Sequence, residues 1–172
     1  MKKLIAFVLA FVCVIAMAGC NTPSTVSNPT VVPEDFSFAL TWNVYGISSY
    51  DSQTGKLVKT TDATNPDDYV TNYQLTEEDK AYFYNLLVPL NVNSYPDIYD
   101  LQGGPSEPFI TLILTVRVNG ESKTIKAKNI PLLPVSEDEK GQQFLSVCEA
   151  ISNRLEATEE WKALPDPRHF YY

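Results

Sequence analysis

Few side chains in this chain are of a type that does chemistry, and their spacing narrows that chemistry further. The 172 residues hold one histidine, three cysteines and 21 acidic side chains. His169 lies close to the C-terminus, behind Pro165 and Pro167. A general base needs a rigid supporting shell, so Ser-His-Asp and Cys-His hydrolysis are disfavoured. No HExxH, CxxC, Gly-x-Ser-x-Gly or glycine-rich phosphate loop occurs. A carboxylate-dependent hydrolase needs no histidine and stays as an alternative, although no spacing singles out a pair of acids. Asp62, Asn65, Asp67 and Asp68 place four oxygen ligands in one loop, the donor set of a hard cation such as calcium. The EF-hand glycine and terminal glutamate are absent, and Asx-rich loops form turns on their own account. Neither an organic cofactor nor a resident metal is expected.

The cysteines divide by position. Cys13 lies inside an apolar leader, Cys20 at its end and Cys148 alone in the remainder, so the domain forms no internal disulfide. Cys148 shares a helical face with Phe144, Val147 and Ile151. The expectation there is a buried, inert thiol, because apolar burial raises thiol pKa.

The leader itself has three parts: Lys2 and Lys3, the apolar run Leu4 to Ala16, and Met17-Ala18-Gly19-Cys20. The run is shorter than the roughly 20 residues of a transmembrane helix and has the layout of a secretory signal. Its last four residues resemble the lipobox of bacterial lipoproteins, with Met17 where leucine is usual. That resemblance implies cleavage before Cys20, diacylglycerol on its thiol, and a domain tethered to the extracytoplasmic face of a cell membrane. Asn21 in place of aspartate is permissive for an outer membrane where the organism has one. The alternatives are a plain secretory signal ending at Ala18 or Gly19, and a retained anchor.

The expected organisation is a signal peptide over 1–19, the lipidated cysteine and a flexible Ser/Thr/Pro/Asn-rich tether over 20–33, and one domain over 34–172. Without the leader, 11 basic side chains face 21 acidic ones, a formal charge of −10. Nucleic-acid binding demands a basic footprint and is excluded as an expectation. A domain this acidic is also not expected to lie flat on an anionic membrane.

Eight of the ten tyrosines fall between Tyr45 and Tyr99. Tyrosine gives rigid contact area with a polar tip and recurs in recognition surfaces, yet it is equally a strand residue whose ring covers a sheet. Tyr45, Tyr50, Tyr95 and Tyr99 stand beside turns and irregular stretches, where ligand contacts concentrate. They are the candidate contacts to a protein, peptide or cell-envelope glycan. The functional expectation is a non-catalytic binding or accessory module; a structural subunit of an envelope complex is a further alternative.

Positioning these residues falls to elements the pattern marks clearly. Phe36, Phe38, Leu40, Trp42 and Val44 alternate with small or polar residues, a strand with one face on a core. Ile47–Asp51 and Lys56–Thr61 read as a hairpin closed by Gly55, and Tyr69–Leu75 as a short strand. Thr76 and Asp79 form the cap of a helix whose expected buried face is Tyr82, Phe83, Leu86 and Leu87, ended by Pro89. A short strand near 97–101 is weakly marked. Asn119-Gly120 calls for a type I′ turn, which pairs Leu114 with Ile125, Leu112 with Ala127 and Thr115 with Thr124. Ser136 and Glu139 mark the start of a second amphipathic helix through Leu155. The expected fold is α+β: an antiparallel sheet of four to six strands with two helices packed on one face.

Overall fold

The computed structural model describes residues 31–44, 47–61, 65–102, 110–130 and 138–166. Seven strands form one sheet: β1 (Ser37–Trp42), β2 (Ser48–Asp51), β3 (Lys56–Val58), β4 (Val70–Asn72), β5 (Ile98–Asp100), β6 (Leu112–Val118) and β7 (Glu121–Lys128). Their spatial order is β4-β3-β2-β1-β6-β7-β5. The helices are α1 (Glu77–Leu87), α2 (Glu139–Glu156) and α3 (Glu159–Ala163). The fold is therefore α+β, with a larger sheet than expected and one additional short helix.

The extra strand is β5, and it pairs with β7 in parallel, not antiparallel. Its three residues are too few for an alternation to show, so the sequence marks it weakly. Every other pairing is antiparallel. Both edges are protected by brevity: β4 and β5 have three residues each, and short edge strands blunt the tendency to recruit further chains.

The β6–β7 hairpin has the expected register, with Leu112, Leu114 and Thr115 opposite Ala127, Ile125 and Thr124. Asn119 and Gly120 both adopt positive φ, 54° and 76°, the pair a type I′ turn demands. Gly55 likewise sits at φ 75°. A Cβ there would stand 2.2 Å from Gln74 Nε2 and 2.9 Å from Asn72 Nδ2. Gly55→Ala therefore combines a left-handed penalty of about 1–2 kcal/mol with a clash, whereas Gly120→Ala meets open space and carries the backbone penalty alone. Urea unfolding of the two variants should show the larger loss at Gly55.

One core fills the inward face. Phe38, Leu40, Leu57, Leu114 and Ile125 from the sheet meet Phe83, Phe144, Ile151 and Leu155 from the helices, all fully buried. The three helices share this side. Phe83 of α1 packs on Phe38 at 4.8 Å, Glu156 of α2 accepts the Trp42 indole N–H at 2.8 Å, and Trp161 of α3 stacks on Trp42 at 5.6 Å. Cys148 is buried as expected, and desolvation pushes its thiol far up.

Two helix details depart from expectation. Tyr82 is exposed and lies under the Arg154 guanidinium at 5.4 Å, because the buried stripe of α1 runs through Asp79, Phe83 and Leu87. The α2 cap is Asp138, which accepts from the N–H groups of Lys140 and Gly141; Ser136 lies outside the described residues. The Thr76 cap of α1 is as expected, accepting from Asp79 N at 3.1 Å.

Candidate functional site

Three of the four candidate tyrosines are described, and they do not share a surface. Tyr50 is 1 % exposed and Tyr95 2 %. The Tyr50 hydroxyl donates to the Tyr73 carbonyl at 3.0 Å, and its ring packs on Phe38 at 5.7 Å. Burial pushes its pKa up strongly. Tyr95 and Tyr99 stand on the same inward face toward the β5 edge of the sheet, 5.2 Å apart edge to face, each against Phe144. The Tyr95 hydroxyl donates to the Lys140 carbonyl at 3.0 Å, and that of Tyr99 donates to the Asp138 carboxylate. Burial is the leading cause of the raised pKa of Tyr95, about 12, and of Tyr99. These side chains hold α2 to the sheet. The correction has a physical reason: the segments around them are irregular in sequence, yet their rings point inward and fill the core. Tyr45 lies outside the described residues, as does Cys20.

The acidic loop contributes a single turn of 3₁₀ helix over Pro66–Tyr69, with Asn65, Asp67 and Asp68 exposed; Asp62 lies outside the described residues. Among the described residues no group of three or more potential metal-ligating side chains comes together.

A polar cluster that the sequence marked only as a helix cap turns out to join three elements. Asp79 is 4 % exposed. Its Oδ2 accepts from Thr76 Oγ1 and from the Tyr73 hydroxyl, each at 2.7 Å. Its Oδ1 accepts from Arg154 Nη2 at 2.8 Å and Nε at 3.2 Å. Burial alone would push this carboxyl up, but the bonds from Thr76, Arg154 and Tyr73 outweigh it and hold its pKa below the ordinary carboxylate value. Asp79, Glu159 and Glu160 do line one cleft, of about 300 Å³. Both Asp79 oxygens are already occupied, however, so its chemistry is that of a fixed anion clasping α1, α2 and the segment after β4. The signal that could have found it is the pairing of a helix-cap acid with an arginine in the last turn of the other helix.

The remaining feature is the outward face of the sheet, over which no described helix lies. The registers place Ser49, Thr41, Ile113 and Lys126 in one transverse row, and Asp51, Ala39, Thr115 and Thr124 in the next. Thr115 and Thr124 share a hydroxyl hydrogen bond at 2.9 Å. Small and β-branched side chains fill the centre of this face, and toward the β5 edge Ser122, Thr124 and Lys126 line a hollow of about 450 Å³ with Asp97 and Ile98. At the end of the face Arg117 reaches Asp51 at 3.6 Å, and its Nη1 is buried without a hydrogen-bond partner. By contrast, two apolar hollows, of about 170 and 260 Å³, fall short of the roughly 300–1,000 Å³ of small-molecule sites.

No protein-family model matches the chain, and no curated protein matches it.

Proposed function

We propose that this is a lipid-anchored extracytoplasmic protein whose domain is a non-catalytic binding module, presenting to a macromolecular partner the sheet face over which no described helix lies. The lipobox-like Met17-Ala18-Gly19-Cys20 supports the anchor. The observation that carries the binding reading is the asymmetry of the sheet: every described helix packs on one side, and the other presents Ser, Thr, Ala and Ile at its centre with Asp51, Arg117 and Lys126 around them. The hollow of about 450 Å³ beside Thr124 and Lys126 adds a concave feature that a projecting side chain or sugar of such a partner can enter. The saturated Asp79 fits a structural role better than acid–base work, which calls for a pKa near the working pH.

The test has two parts. Cys20→Ala should move the chain from the membrane to the soluble fraction. A photo-crosslinking residue at Thr41 should give a discrete adduct on intact cells, while one at Asn153, exposed on α2, should not. Equal labelling from both positions, or none from Thr41, would remove the sheet face as the binding surface.

A further inference from the structure

The tether enters the domain beside an uncharged apolar patch. Phe36 N donates to Pro33 O at 3.0 Å, and Asp35 accepts from Gly120 N at 2.6 Å. These bonds fix the entering chain against the β6–β7 turn. Immediately beside them Phe36, Tyr84, Val88, Val92 and Val118 line a shallow hollow. Phe36 and Tyr84 meet edge to face at 5.1 Å. Val88 stands 54 % exposed, and Val31, on the entering chain, 85 %.

The surrounding sequence is unusual for so acidic a chain. No residue between Lys80 and Asp97 carries a charge. Asn85, Asn91 and Asn93 supply the polar rim, and the nearest acids, Glu34, Asp35 and Glu121, border the patch on the sheet side. Exposed apolar residues scattered singly need no explanation; here the exposed Val88 continues into the half-buried Tyr84, Val92 and Val118 of one hollow.

We infer that this patch is the membrane-facing end of the domain, resting on the bilayer interface in which the Cys20 lipid sits. The inference deepens the lipid-anchor reading and rests on it. Cys20 and Val31 are eleven residues apart, a span of at most about 40 Å at full extension. A short tether holds the patch at high effective concentration over the bilayer, so a weak contact suffices. Valine and tyrosine rimmed by asparagine suit the interfacial region, where tyrosine concentrates. The lining itself carries no charge, so its contact with the interface is apolar and has to outweigh the repulsion of the bordering Glu34, Asp35 and Glu121 by anionic headgroups.

The experiment uses the full-length chain, matured in a bacterium and reconstituted in phosphatidylethanolamine–phosphatidylglycerol vesicles. An environment-sensitive fluorophore is attached at Val88→Cys, or at Glu149→Cys near the opposite end of the sheet. Both positions are exposed, and the buried Cys148 thiol does not compete for label. The expected result is blue-shifted emission from position 88 that nitroxide-bearing lipids quench severalfold, with neither effect at position 149. A chain that floats with the vesicles but shows no quenching at 88, or equal quenching at both positions, overturns the inference and leaves the anchor standing. A chain that does not float overturns both.

Discussion

Asp79→Ala is expected to destabilise the domain by about 3 kcal/mol, since it strips four hydrogen bonds from one buried acceptor and strands their donors. In a domain of this size that lowers Tm by roughly 10 °C. The three donors come from different places: Thr76 at the helix cap, Tyr73 after β4, and Arg154 near the end of α2. Losing the carboxylate therefore loosens the attachment of α1 to both neighbours. Arg154→Met leaves the buried Oδ1 without both its donors and should cost about 1–2 kcal/mol, less than Asp79→Ala because the Thr76 and Tyr73 bonds to Oδ2 remain. The pH dependence has a definite sign. The folded state holds the Asp79 carboxyl below its ordinary value, so its stabilisation is fully present above the unfolded carboxylate pKa of about 3.9. It is lost as pH falls through the lower, folded value. Asp79→Asn should therefore show a shallower acid limb than the parent in thermal unfolding from pH 6 to pH 2. An unchanged limb would mean that other carboxylates govern acid unfolding.

Asp79 also shows where sequence reasoning stops. Its place in a capping box was legible, because the box is a local pattern. Its pairing with Arg154 joins positions far apart in the chain, and no periodicity reports a contact of that kind. The β6–β7 hairpin is the opposite case. Asn119-Gly120 and the flanking alternation specify one register independently, and the structure has that register. Strand β5 was faint because three residues show no period, and its parallel pairing with β7 is decided by the route of the chain. The tyrosines failed for a related reason. Tyr95 and Tyr99 flank a proline-containing irregular stretch, and irregular backbone was taken to mean exposed side chains. Backbone irregularity and side-chain burial are separate properties, and here Phe144 collects both rings from a segment with little regular structure. The sheet face over which no described helix lies is implicit in the alternation of β1, whose outward positions are Ser37, Ala39 and Thr41. That it extends across several strands became visible only once their order was known.

Tyr50→Ala is expected to cost about 3–5 kcal/mol, the range for truncating a large buried aromatic. Native domains hold only about 5–15 kcal/mol in total, so this variant sits near the edge of folding. Tyr50→Phe keeps the ring among Phe38 and Tyr73 and removes only the hydroxyl, stranding the Tyr73 carbonyl at a cost of about 1 kcal/mol. Tyr95→Phe should cost less, because the Lys140 carbonyl that loses the hydroxyl lies in the first turn of α2 and keeps its place in the helix ladder. Tyr99→Phe should cost less, since Asp138 keeps the N–H groups of Lys140 and Gly141. The alanine–phenylalanine contrast separates the two roles a tyrosine can play. In a binding site, alanine weakens the ligand and leaves the fold intact; in the core, alanine lowers Tm steeply and phenylalanine restores most of it. Thermal unfolding of the Tyr50 pair decides between them. A Tyr50→Ala protein as stable as its parent would return that residue to the surface and undo the core described for β1, β2 and α1. A steep loss rescued by phenylalanine leaves recognition to the face on which Thr41, Ile113 and Thr115 stand.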